Sequence, residues 1–180
     1  MSAFVTAVSR SAIHSFSKKV VPSIRLIAGR GVEGDAHLGS HVRHRRDSSR
    51  NPRCLNRRQV HLIHLELLEE LTCDGFAAPP GALGENITTQ GLDLPALPKG
   101  TRLAIGSAAL LELTGLRAPC RQMDRYQKGL PAAVMTRNAG GRLVSKAGVM
   151  AVVLRGGEVQ AGDTILVHLP LGKHDPLHHV

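Results

Sequence analysis

The chain has 180 residues, 42% hydrophobic and 21% charged, a composition for one globular domain rather than a disordered segment. Lys and Arg number 23 against 14 Asp and Glu, a formal net charge of +9, which suits an anionic partner. No apolar run approaches the roughly 20 residues of a membrane-spanning helix. The opening MSAFV lacks the charged start and long apolar stretch expected of a secretory signal, and three cysteines without a C-x-x-C pair point to a reduced, cytoplasmic location.

Residues 4–8 (FVTAV) are short and β-branched and predict a strand, as do residues 24–27 (IRLI). A glycine-bracketed turn follows over 31–37 (GVEGDAH), carrying Glu33, Asp35 and His37. Residues 43–58 then hold seven arginines (Arg43, Arg45, Arg46, Arg50, Arg53, Arg57, Arg58) and one acid, Asp47, so this segment alone supplies +6 of the net charge. Arginine makes planar, bidentate contacts to phosphate or carboxylate. The alternative is a solvated loop, because blocks of like charge are commonly disordered.

Residues 59–63 predict a strand running into a helix over 66–71 that stops near Gly75. Residues 83–88 (LGENIT) are a turn leading into a short strand, and strands over 102–105 and 108–114 are joined at the tight Gly106-Ser107 pair. A helix is predicted over 130–137, with Pro131 in its first turn. The apolar strand 149–154, a turn at 155–158 and a last strand at 164–168 complete the pattern. Strands outnumber helices and turns are frequent, which predicts a mainly β fold, an antiparallel barrel with a few peripheral helices. One domain is expected over 4–169, with 170–180 a polar, flexible tail.

Cys120 follows a predicted strand, and the neighbouring Arg117 and Arg121 favour its thiolate, the form that ligates soft metals or accepts sulfur. Most free cysteines are instead small buried hydrophobes. Cys54 also sits among arginines, so charge alone does not separate the two; Cys73, at a helix end beside Asp74, reads as structural. Glu33 and Asp35 flank Gly34 and suit acid–base work or a divalent ion, or simply hydrogen bonding to the local backbone. His37, His41 and His44, with Cys54 and His61 downstream, lack the tight ligand pair of a structural zinc site. His61 and His64 flank the strand-to-helix transition. The aromatics are only Phe4, Phe16, Phe76 and Tyr126, a poor platform for stacking bases, so nucleic acid is not the favoured partner.

In order, the 31–37 turn, residues 56–63 (NRRQVHLI), 83–92 (LGENITTQGL), 113–120 (LTGLRAPC) and the stretch from Gly148-Val149 to Gly162-Asp163 resemble the MOSC domain. The resemblance runs from about residue 4 to 169. It implies a closed β-barrel with peripheral helices, similar to the barrel domain of pyruvate kinase. It also implies that Cys120 carries sulfur or binds molybdenum directly, which separates it from Cys54.

The cofactor implied is the molybdenum cofactor, molybdopterin, whose anionic phosphate suits arginines and backbone N–H groups at glycine turns. Beside Cys120, the resemblance points to Arg117, to Gly34, Asp35 and His37, to Gly84, Glu85 and Asn86, and to Asn56, Arg57 and Gln59. The chain has no aminotransferase-like domain, so pyridoxal phosphate is not expected. An electron donor or a cysteine desulfurase would be a separate protein; no membrane partner is expected. Three functions stay open: reduction of N-hydroxylated compounds such as hydroxylaminopurines, sulfur carriage as a persulfide on Cys120, and nucleic-acid binding by a small basic barrel.

Overall fold

The computed structural model describes residues 3–41, 55–137, 140–141 and 143–180. The strands are β1 (Ala3–Arg10), β2 (Lys19–Val21), β3 (Ser23–Ile27), β4 (Gly31–Val32) and β5 (Val60–His64), followed by helix α1 (Leu65–Cys73). Next come β6 (Ile87–Gln90), β7 (Arg102–Ile105) and β8 (Ala109–Leu116), then α2 (Arg121–Tyr126) and α3 (Leu130–Ala133). The chain continues through β9 (Met135–Arg137), β10 (Leu143–Ser145), β11 (Val149–Arg155), β12 (Gly157–Gln160) and β13 (Thr164–His168).

Among the described residues, seven strands pair in the order β1-β6-β5-β11-β8-β7-β13, and β13 pairs back onto β1, closing a barrel. The seam is the register Ala3↔Ile165 and Phe4↔Thr164. All these pairings are antiparallel except β5 with β6, which run parallel because α1 carries the chain back along the outside between them. β3, β4 and β12 form a smaller sheet.

The period of two in β8, buried and half-buried in turn, directs Ala109, Leu111 and Leu113 inward. They meet Val5, Leu62, Ile87, Leu103, Val149 and Ile165 in the barrel core. Alternation along β5 turns Ile63 the other way, into a second apolar cluster where Leu67, Leu68 and Leu71 of α1 meet Leu83, Met123 and Leu130. Full burial of one such leucine stabilises the fold by about 2 kcal/mol. This second cluster fixes the 81–86 turn and α2 to the barrel wall.

The closed, mainly β architecture agrees with the sequence reading, and three local expectations differ. The helix expected over 130–137 stops at Ala133, because Met135, Thr136 and Arg137 pair with β10 instead. The turn expected at 155–158 is largely strand: β12 begins at Gly157 and pairs with β3. Residues 170–180 do not fray along their length. Lys99 N–H donates to Asp175 O (2.8 Å), Leu116 N–H to His178 O (2.8 Å) and Val180 N–H to Leu116 O (3.2 Å), while Leu177 is 6% exposed in the core. One apolar side chain in a polar tail is enough to anchor it.

Arg43, Arg45, Arg46, Arg50 and Arg53, with His44 and Cys54, lie outside the described residues. Among the described residues no helix is long and apolar enough to cross a membrane.

Candidate functional site

Gly34, at φ +73°, turns the chain so that Asp35 enters the protein. Lys18 Nζ lies 2.8 Å from Asp35 Oδ2, their side chains 5% and 3% exposed. The same oxygen accepts from Asn86 Nδ2 (3.1 Å) and from Ser11 N–H (3.3 Å). The other carboxylate oxygen accepts from His37 N–H (3.0 Å), and the His37 ring Nδ1 is 3.1 Å away. Burial alone would raise the Asp35 pKa; hydrogen bonding from His37 and the charge of Lys18 outweigh it and hold the carboxyl well below the usual carboxylate range. Burial pulls the Lys18 ammonium down, opposed chiefly by Asp35.

Asn86 ties this group to the barrel. Its Nδ2 also donates to Ser9 O of β1 (3.1 Å), and its Oδ1 accepts from His61 N–H of β5 (3.2 Å). The buried His61 ring points Nε2 at Ala147 O (3.0 Å). Burial holds this imidazole well below its ordinary pKa, so it is a neutral donor there.

Beyond β8, Arg117 donates through Nη1 to Leu83 O, and its guanidinium carbon lies 5.5 Å from the centre of the Phe16 ring. Phe16 in turn packs on Tyr126 at 5.3 Å between ring centres. Burial lowers the Arg117 pKa, opposed by charge interaction with Cys120 and Glu85, and the group stays cationic. Glu85 is fully buried; its Oε1 accepts from Gly81 N–H (2.5 Å) and Thr88 Oγ1 (3.4 Å). Its Oε2 has no hydrogen-bond partner among the described residues, and burial pushes its carboxyl up.

These elements surround a cavity of about 760 Å³ onto which Lys18, Arg58, Arg117 and Arg121 face together with the thiol of Cys120. Cys120 is partly exposed, immediately before α2, with Sγ 4.0 Å from Gln122 Oε1. The arrangement can hold an anion beside a soft nucleophile or metal ligand. Among the described residues no three His, Cys, Asp or Glu side chains form a metal-binding group.

The MOSC domain family matches residues 34–166. The chain belongs to the MOSC family. It is 32% identical to YuaD of Bacillus subtilis (strain 168) over 151 residues, covering 77% of this chain and 76% of YuaD, a protein provisionally named for metal-sulfur cluster biosynthesis. The crystal structure of YuaD from Bacillus subtilis superposes with a TM-score of 0.74 at 27% identity, covering 94% of this chain and 97% of that one. YiiM from Escherichia coli shares the fold at a TM-score of 0.65 and 20% identity, covering 97% of this chain and 73% of YiiM.

Within this MOSC barrel, Cys120, Arg117, His37, Gln59, Gly84 and Asn86 line the cavity. Asp35 and Glu85 stand behind the lining and act on it through Lys18 and Arg117. Gly34 shapes the turn. Gln59 reaches the cavity with its amide already committed: Oε1 accepts from Val153 N–H (2.9 Å) and Nε2 donates to Gly29 O (2.9 Å) and Asn56 O (3.1 Å). Asn56 is buried and stitches the loop, donating to Gly39 O (3.0 Å) and accepting from Arg58 N–H (2.9 Å). Arg57 is exposed and outside the lining, and Cys73 is exposed at the end of α1.

The reading of the sequence gave no site role to Lys18, Phe16, Met150 or Val180 and weighed His61 only as a zinc ligand, yet all five line the cavity. Lys18 follows a serine-rich loop and precedes another lysine, with no local pattern to set it apart. Only the fold brings it to Asp35.

Proposed function

We propose that the cavity binds the molybdenum cofactor, with Cys120 as its protein ligand to the metal, and that the chain reduces N-hydroxylated compounds. The observation that carries this reading is one accessible thiol sharing a cavity with four cationic side chains, one of them the buried Lys18. That donor set fits the cofactor: a thiolate is a soft ligand, and ammonium and guanidinium groups pair with phosphate oxygens. When bound, the cofactor supplies a redox-active metal centre and an anionic phosphate.

The chain's own residues do the rest. Asp35 keeps Lys18 charged and aimed, because an ammonium with so little access to water needs a counter-charge. Leu83 O and Phe16 fix the Arg117 guanidinium, so little side-chain freedom is lost when it grips an anion. His37, held through Asp35, offers a polar side chain at the cavity wall. Reduction of a hydroxylamine to an amine takes up two electrons and two protons and releases water; the electrons come from a separate donor protein.

The test is metal analysis of protein made in cells competent for the cofactor, wild type beside Cys120→Ser. Molybdenum in the wild type and its loss in the variant support the reading, and equal content in both overturns the ligand role of Cys120.

A second reading rests on the partly exposed Cys120 thiol and on the likeness to YuaD, with its metal-sulfur name. Here Cys120 carries a persulfide delivered by a cysteine desulfurase. Treatment with desulfurase and cysteine then adds the mass of one sulfur atom to the Cys120 peptide; an unchanged mass overturns it.

A further inference from the structure

The cationic cavity has an apolar side made by Val180 and Met150. Met150 lies across from Gly115 in the pairing of β11 with β8. Val180 reaches the same point from the C-terminal segment, which runs beside β8 as a short parallel bridge, Leu116↔His179. Two backbone hydrogen bonds hold it there, Leu116 N–H to His178 O and Val180 N–H to Leu116 O, at 2.8 and 3.2 Å. Leu177, buried in the barrel core, pins its near end.

Gly115 is the seat. It is not among the glycines with positive φ, so its backbone does not demand glycine. The space does: a Cβ there would lie 2.4 Å from Val180 Cγ1 and 2.5 Å from His178 O. Only a residue without a side chain lets the segment approach β8 so closely. The result is an apolar strip, Met150–Gly115–Val180, running across β11, β8 and the C-terminal segment, and its middle member lies in the strand that leads through Arg117 to Cys120.

We infer that residues 177–180 are a built-in wall of the site, and that Val180 limits the bulk of a molecule that can reach Cys120. The inference deepens the proposed function, since it concerns selection at the same thiol. A bare or slender anion passes on the cationic side, whereas a body wide enough to press on Val180 is resisted by a segment anchored at both ends.

The probe is alkylation of the full-length chain, purified reduced from cells that do not make the cofactor and read by mass spectrometry of the Cys120 peptide. The exposed Cys73 serves as the internal standard. Slender iodoacetamide and bulky N-phenylmaleimide are compared. Val180→Gly raises the N-phenylmaleimide rate at Cys120 about tenfold relative to Cys73, with iodoacetamide nearly unchanged, and Val180→Leu lowers it. Gly115→Ala, which expels the segment, acts like Val180→Gly; should it fail to fold, the Val180 pair decides.

An unchanged rate ratio in Val180→Gly overturns the inference. General loosening of the fold would raise both reagents together and also overturns it. A preference of Cys120 for iodoacetate over iodoacetamide reports the surrounding cations independently. Loss of that preference would undo the anion-site reading while leaving the wall intact.

Discussion

Lys18 and Asp35 form an ion pair at 2.8 Å with both side chains almost sealed from water, directly beneath the candidate cofactor cavity. Asp35 is the carboxylate bonded to Lys18; Glu85 acts on that ammonium through charge alone, and Asp35 also accepts from His37. Asp35→Asn leaves a buried ammonium without its partner and costs about 3 kcal/mol of folding stability, measurable by urea denaturation. The folded carboxyl is depressed below the roughly 3.9 of an unfolded aspartate, so its stabilisation is complete above about pH 4 and is lost as pH falls further. The acid limb of the stability profile is therefore shallower in Asp35→Asn than in the wild type. Parallel limbs would show that the pair does not govern it.

Glu85 has the opposite sign. Burial raises its folded pKa, so the folded chain binds the proton more tightly than the unfolded one, and stability falls as pH climbs from about 4.3 towards the folded value. Glu85→Gln keeps an oxygen for Gly81 N–H and Thr88 Oγ1 and carries no charge to desolvate. The variant matches the wild type near pH 4 and is the more stable of the two at pH 8. A denaturation series across that range that finds the wild type the more stable at pH 8 refutes the assignment.

Gly148 faces the ring of His61. A Cβ there would stand 2.1 Å from Nε2 and 2.7 Å from Leu62 O, at a φ of +113° that side chains rarely adopt. Gly148→Ala is expected to cost about 3 kcal/mol or more, visible as a drop in the urea midpoint. The His61 pKa is lowered in the fold, so its contribution is present above about pH 6.5 and declines as pH falls through that value.

Leu177 is the anchor of the C-terminal segment. Leu177→Ala removes a buried side chain from the barrel core and costs about 2–3 kcal/mol. Hydrogen exchange at the Leu116 amide, which donates to His178 O, accelerates by more than the global loss of stability accounts for. Equal acceleration at Leu116 and at an amide deep in β11 would mean that the segment is not separately anchored.

Much of the barrel is legible from short-range signals. The strand expected at 102–105, the tight Gly106-Ser107 link and the last strand at 164–168 lie where the pattern puts them, and the strand expected over 108–114 runs from 109 to 116. Cys120, Arg117 and the two glycine turns were marked by chemistry and order, and the fold gathers them. Other features depend on contacts that no window of sequence contains. Lys18 matters because the fold brings Asp35, itself held by Asn86, beside it. Gly157 reads as a turn residue, yet it lies at the start of β12, where a Cβ would come 2.9 Å from Ala109 N. Leu177 is a single leucine in a polar stretch, and its burial depends on the barrel core it joins.

The seam of the barrel joins β1 to β13 through Ala3↔Ile165 and Phe4↔Thr164, strands separated by nearly the whole chain. Such pairing must bear the entropy of ordering the intervening segment before it is rewarded, so closure is a slow, late event in folding. During synthesis β1 emerges long before its neighbour β13 exists, and β2 pairs only its Val8–Arg10 end, leaving Ala3 and Phe4 without that partner. The newborn chain therefore passes through an open half-barrel vulnerable to aggregation, and that exposure ends only when the final strand of the barrel arrives.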